Sequence, residues 1–276
     1  MELRTEVDLE GDRMNNTQHN WQIIRFDGEE PQSLDDEIAT EFPLTVILNG
    51  DEFATMVCSP TDLEELTIGF LASEGIIRSY NEINSISVDE GKGFAYIDIT
   101  KNIDAIPQDQ TKRFIGSCCG KSRQFYFKSD VRTAKTVYSR LSVTVEQCYT
   151  LMNQLQSESE QFIRTGGVHN AALAAPDDMF AIRMDIGRHN ALDKIYGHIL
   201  KQRIPVKNKL IVFSGRISSE VLLKISKIGA GILVSKSAPT DLALQLATDL
   251  GITVIGFVRA DKMNVYTHPQ RIKEAI

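Results

Sequence analysis

The stretch FIGSCCGKS, residues 114–122, holds the groups best suited to covalent chemistry. The chain has four cysteines, and two of them, Cys118 and Cys119, are adjacent here. A thiol becomes a good nucleophile when nearby positive charge or exposed backbone N–H groups lower its pKa. Lys112, Arg113, Lys121 and Arg123 flank the pair, and Gly116 and Gly120 permit unusual backbone turns. These residues point to a reactive thiol on an accessible loop. The competing view is two small, soft residues in an ordinary turn. A metal site fits poorly, because adjacent cysteines lack the spacing that grips one tetrahedral ion. A disulfide between neighbours would strain the peptide bond between them.

A second set of candidates lies in polar loops further along. RTGGVHN carries Gly166 and His169, DIGRHN carries Arg188 and His189, SGRISS carries Ser214 and Arg216, and SAPTD begins with Ser237. The last three join a strand to a helix. In a parallel sheet such loops lie at the carboxyl edge of the strands, where ligands bind. A helix start presents free N–H groups and partial positive charge, which suit phosphate. Arg188 and Arg216 add forked donors. Each loop alone could be simple helix capping, but capping does not need arginine, histidine and glycine together. The run FVRADK, from Phe257 through Val258, Arg259, Ala260 and Asp261 to Lys262, follows the last strong strand and adds two cations at the same edge. A phosphorylated or nucleotide-like ligand is the expected occupant.

Standard signatures are missing. CGKS lacks the upstream glycine of a P-loop, and no dinucleotide fingerprint occurs. The His-x-Glu and Pro-Cys-x-x-Cys pattern of zinc deaminases is absent, as is any histidine pair at zincin spacing. No metal ligands are assigned.

The elements that must position these groups can be read from pattern. LTVILNGDEFATMVCS (residues 44–59) predicts a hairpin turning at Asn49 and Gly50. Cys58 ends its second strand and is expected to be packed. Thr61 and Glu64 have capping-box spacing before a short helix that stops near Gly75. INSISV and FAYIDIT read as strands. Residues 144–159 predict a helix whose stripe of Val145, Cys148, Leu151, Met152 and Leu155 makes Cys148 a core residue. AALAA and MFAIRMDIG form a predicted hairpin. NALDKIYGHIL, KLIVFSG, SSEVLLKISKIG, GILVSKS, TDLALQLATDLG and ITVIGFV then alternate helix and strand, which implies a buried, largely parallel sheet.

The bulk properties bound the rest. With 276 residues, 42% hydrophobic and 24% charged, the chain can bury a real core. Three parts are expected: a flexible tail over 1–20, a segment over 21–130 with the hairpin, helix and cysteine loop, and an α/β core over 131–276. A net charge of -7 argues against general nucleic-acid binding. No membrane span or secretory signal is legible. The cytoplasm is the expected location, and there cysteines stay reduced. Many chains of this size with crossover sheets pair up, so a homodimer is expected.

The chain resembles the formate dehydrogenase accessory sulfurtransferases of the FdhD family. The resemblance runs from about residue 40 to the C-terminus. It rests on SPTDLEELTIGFLASEGII, SCCGKS, RTGGVHNAAL, DIGRHNALDKIYG, SGRISSE and the long run from SAPTD to HPQRI, all in the expected order. It implies a mixed α+β fold, with a cytidine-deaminase-like core that lacks the zinc chemistry and a smaller N-terminal β-rich part. It also implies a sulfur carrier. Sulfur would come from a cysteine desulfurase as a cysteine persulfide on Cys119 or Cys118. It would pass to the bis-molybdopterin guanine dinucleotide molybdenum cofactor before that cofactor enters formate dehydrogenase. The cofactor is thus a bound substrate, with GDP-like halves for the helix starts. The family's cofactor-binding segment falls on residues 257–262. One departure stands out. Other members carry Cys-Gly-x-Cys-Gly, whereas an ungapped match here puts Gly116 at the first cysteine and Cys119 at the second. A gapped match puts Cys118 and Cys119 at the two. Gly120 follows Cys119 as in the family, which favours Cys119. The alternatives are a chaperone that holds the dinucleotide without chemistry, and a nucleotide hydrolase or deaminase.

Overall fold

A computed structural model describes residues 17–100, 113–115 and 134–275. Cys118 and Cys119 lie outside the described residues, as do residues 1–16 of the expected tail. Gln18 to Asn20, grouped with that tail by sequence, belong to β1 (Gln18–Asp27), which pairs in antiparallel register with β2 (Glu30–Ala39).

A five-stranded sheet follows. β3 (Phe42–Leu48) and β4 (Asp51–Cys58) form the predicted hairpin. Asn49 and Gly50 both take positive φ, 49° and 90°, as the tight mirror-image turn requires. Leu44, Val46 and Leu48 alternate into the core, and Cys58 is buried as expected. The sheet order is β5 (Ile83–Asp89), β6 (Phe94–Ile99), β3, β4, β7 (Arg113–Ile115). Between β4 and β5 runs α1 (Leu63–Ser73), which ends before Gly75 at φ 76°. The expected capping box does not form. Asp62, in left-handed backbone at φ 51°, is the N-cap and makes no side-chain cap bond. The Thr61 hydroxyl instead accepts a hydrogen bond from the Lys194 ammonium.

The second sheet has six strands in the order β13, β12, β11, β10, β8, β9. α2 (Val145–Ser157), capped by Thr144 and Gln147, and α3 (Glu160–Thr165) precede the hairpin of β8 (His169–Ala175) and β9 (Asp178–Asp185). Then come α4 (Arg188–Lys201), β10 (Leu210–Phe213), α5 (Ser219–Ile228), β11 (Ile232–Ser235), α6 (Asp241–Leu250), β12 (Thr253–Arg259) and β13 (Lys262–Val265). Only β10, β11 and β12 are mutually parallel; β8, β9 and β13 join antiparallel, so the sheet is mixed rather than largely parallel. The fold class is mixed α+β, as expected. All four residues of β10 and of β11 are buried, because helices cover both faces. Val212 faces α2 with Cys148 and Leu151, while Ile211 and Phe213 face the larger core shared with α1, α4, α5 and the five-stranded sheet.

Two features lock the sheets together. α1 and α4 cross at Gly69 and Gly197, where an added Cβ would stand 1.8 Å from the Asp193 and Glu65 carbonyl oxygens respectively. Beside this crossing lies a buried ion pair. The Lys194 Nζ is 2.8 Å from Asp185 Oδ2, and both side chains are fully buried. Lys194 also reaches the carbonyls of Met184 and Ser59, and Asp185 accepts from the backbone N–H of Ser59 and Gly187 and from Asn190 Nδ2.

Lys194→Met would leave the Asp185 carboxylate buried without its countercharge, and urea unfolding is expected to show a loss of roughly 3–5 kcal/mol. In an isolated helix, Gly→Ala gains about 1 kcal/mol. Gly197→Ala is nonetheless expected to lose about 3 kcal/mol or more in the same assay, because backbone on both sides prevents relief of the clash.

Candidate functional site

The carboxyl ends of β10, β11 and β12 form one edge of the six-stranded sheet. β8 runs the opposite way, so its first residues reach the same edge: Ala171 pairs with Phe213, and His169 pairs with Asp185 at the end of β9. The loops singled out in the sequence therefore meet here.

Hydrogen bonds hold these loops to one another. Asn170 and Ser214 are joined twice: the Ser214 N–H donates to the Asn170 carbonyl at 3.0 Å, and the Asn170 N–H donates to Ser214 Oγ at 2.9 Å. The Ser237 hydroxyl donates to the Ser214 carbonyl at 2.8 Å, and the Phe257 N–H donates to the Ser237 carbonyl at 3.3 Å. Buried Ser235 Oγ donates to the Gly215 carbonyl and accepts from the Ser237 N–H. Ser214 and Ser237 thus act as bolts between loops. Gly215 must be glycine, because a Cβ there would lie 2.7 Å from the Phe213 ring and 3.3 Å from Arg188 Cβ.

Arg188 is the first residue of α4, directly after the Gly187 N-cap. Its Nε is buried and has no hydrogen-bond partner among the described residues; the same holds for Asn170 Oδ1. Buried polar atoms without partners are costly and uncommon. A ligand with acceptor oxygens and a donor would satisfy both. His189 Nε2 stands 3.2 Å from Glu220 Oε2 on α5. Burial pushes the imidazoles of His169 and His189 below their ordinary range; nearby Arg188 adds to this for His169, and Glu220 partly offsets it for His189. Neutral imidazoles leave the arginines as the fixed cations of this edge.

Arg216 is exposed in the turn before α5, whose N-cap Ser218 accepts from the Val221 N–H. The 257–262 segment is a hairpin tip rather than an exit loop. Phe257, Val258 and Arg259 end β12, Ala260 and Asp261 make the turn, and Lys262 opens β13. Phe257 and Ala260 take positive φ, 54° and 43°, around a register shift, so the tip twists out of the sheet plane. Phe257, Arg259, Ala260, Asp261 and Lys262 are exposed, whereas the Val258 side chain is fully buried in the core. Gly166 caps α3 at φ 63° and is exposed.

Sequence reasoning did not single out Asn170, Gly215 or Glu220, nor the buried pair of Asp185 and Lys194 beneath the edge. One signal was present: Lys194 falls among Ala191, Leu192 and Ile195 on the apolar side of its helix. Among the described residues no three His, Cys, Asp or Glu side chains group as a metal site. No helix there is long and apolar enough to cross a membrane.

Comparison with known proteins places this geometry. The model of the FdhD/NarQ family matches residues 39–273. The sulfur carrier protein FdhD of Bacillus licheniformis is 57% identical over 251 residues, covering 91% of this chain and 95% of that protein. The protein of the same name from Bacillus subtilis is 56% identical over 252 residues, covering 91% and 96%. The crystal structure of a candidate formate dehydrogenase accessory protein from Desulfotalea psychrophila superposes with a TM-score of 0.76 at 25% identity, covering 93% of this chain and all of that one. By the extent and level of these matches, the chain belongs to the FdhD/NarQ family.

Proposed function

We propose that this protein is a cytoplasmic sulfur carrier that serves formate dehydrogenase. A thiolate of Cys119, or of Cys118, attacks the outer sulfur of a donor persulfide on a cysteine desulfurase. The donor leaves as a thiolate, and the carrier holds the new persulfide. Its outer sulfur would then pass to the reduced molybdenum of a bis-molybdopterin guanine dinucleotide substrate before that substrate is installed in formate dehydrogenase: the S–S bond breaks, the carrier cysteine leaves as a thiolate, and the metal of the substrate supplies the two electrons that take the sulfur to sulfide. What carries the reading is the set of loops at one sheet edge, with Arg188 Nε and Asn170 Oδ1 buried and unpartnered among the described residues. Phosphate or guanine groups of a dinucleotide would complete them. The names of the relatives supply the sulfur-carrying role.

The other two cysteines are unsuited to the task. Burial raises the Cys148 thiol to about 12. Burial, with the nearby Asp185 carboxylate, raises Cys58 well beyond the usual thiol range. Neither forms a thiolate readily.

Incubation with a cysteine desulfurase and cysteine is expected to load labile sulfur, read by cyanolysis or intact mass. Cys118→Ala/Cys119→Ala must abolish loading, and the two single variants identify the carrier position. If the double variant still matures formate dehydrogenase in full, the protein is a holder of the cofactor and not a sulfur carrier. Arg216→Ala is expected to weaken GDP binding about tenfold in calorimetry, the cost of losing one charge-assisted hydrogen bond.

A further inference from the structure

The amino ends of the parallel strands, opposite the edge described above, carry a different surface. Residues 135–140 run past these ends; the Val137 N–H donates to the Leu250 carbonyl, and Ser139 packs at Gly231. Two depressions, of about 320 Å³ and about 490 Å³, meet there and share Lys135 and Val206. Arg78 and Arg203 line the first, and Arg140 and Lys207 line the second. No aspartate or glutamate lines either one.

This is unusual in a chain of net charge -7. Several cations elsewhere have carboxylate neighbours: exposed Arg25 with Asp36, Lys92 with Asp89 and Arg164 with Glu37, and half-buried Lys201 with Glu64. Six cations line the two depressions. Lys227 is buried and donates to the Ser73 carbonyl, whereas Arg78, Lys135, Arg140, Arg203 and Lys207 are exposed, and none of these five forms an ion pair among the described residues. The Arg203 guanidinium donates to the neutral amide of Asn81, at 2.8 Å. The exposed cations are divided between the two adjoining depressions, Arg78 and Arg203 in one, Arg140 and Lys207 in the other and Lys135 in both, rather than gathered in a single pocket as a phosphate site would need. Apolar Ile199, Leu200 and Ile204 line the first depression, and Tyr138, 94% exposed, lines the second. Spaced cations over an apolar floor suit an extended chain with alternating carboxylate and apolar side chains.

We propose that this groove docks a carboxylate-rich peptide segment of a partner protein, at the sheet edge opposite the dinucleotide site. The surface shares no residue with the proposed sulfur chemistry, so the two proposals stand or fall separately.

The test is fluorescence anisotropy with a short fluorescein-labelled peptide of alternating Glu and Leu. Binding is expected to weaken about tenfold or more in Arg78→Glu/Lys135→Glu/Arg203→Glu and in Arg140→Glu/Lys207→Glu, and to weaken with added salt. Arg25→Glu, on a distant hairpin, should bind as the parent does, and all variants should bind GDP normally. Alanine versions at the same positions carry the same test if a charge-reversed chain does not fold. Undiminished peptide binding by either groove variant would overturn the proposal. So would displacement of the peptide by inorganic phosphate, or by an RNA oligonucleotide, as readily as by unlabelled peptide; these outcomes would mark a small-anion or a nucleic-acid surface instead.

Discussion

The meeting of Lys194 with Asp185 is the contact on which the arrangement depends. A buried ion pair is no simple source of stability, because removing two charges from water costs nearly as much as their attraction returns. Its value here is geometric. Asp185 closes β9 and receives the Ser59 and Gly187 N–H groups, while Asn190 bridges the same carboxylate to the Val57 carbonyl. The end of the N-terminal sheet, the last residue of β9 and the first turn of α4 are thereby fixed to one another. Arg188 and His189 sit in that first turn, so their positions inherit the precision of a charge that cannot move without leaving its partner bare.

Above this anchor the sheet edge is built from serine hydroxyls and tight glycines, and among the described residues Arg188, Arg216 and Arg259 form no ion pair. Ser214, Ser235 and Ser237 spend their hydrogen-bonding capacity on neighbouring loops. The rigidity is local and needs no bound ligand to set it up. Exposed Arg216 and the hairpin tip at Phe257 then stand on that stiff base, while Arg188 keeps its Nε buried within it. Preorganised donors lose little freedom on binding an anion. The opposite edge follows another logic, with cations spread over an open apolar floor, and the molecule is polar in the sense that its two ends meet different chemistry.

Much of this was legible in the residues. Asn49 and Gly50 specify a turn that few other pairs can form, and the stripe of Cys148, Leu151, Met152 and Leu155 has a single sensible burial. The alternation after residue 190 gave every helix and strand through Val258. Strand direction was less accessible. β8 and β13 join the sheet antiparallel because of where their hairpin partners lie, and local periodicity carries no record of that. β1 and β2 escaped notice because both faces are largely exposed, with Trp21, Ile24 and Phe26 among the exposed side chains, and no alternation marks them. The Thr61 capping box failed for a tertiary reason: its hydroxyl is claimed by a lysine more than a hundred residues away. Among candidate site residues, Ser214 and Ser237 are joined at one sheet edge with Arg188 beside Gly215, whereas Val258 turned inward because alternate residues of a strand must.

The burial of Cys58 and Cys148 has a practical consequence. Both are sealed in apolar packing at 0% exposure, so an electrophilic reagent applied to the folded protein reaches neither of them quickly. Slow labelling of these two sulfhydryls therefore becomes a clock for opening of the core.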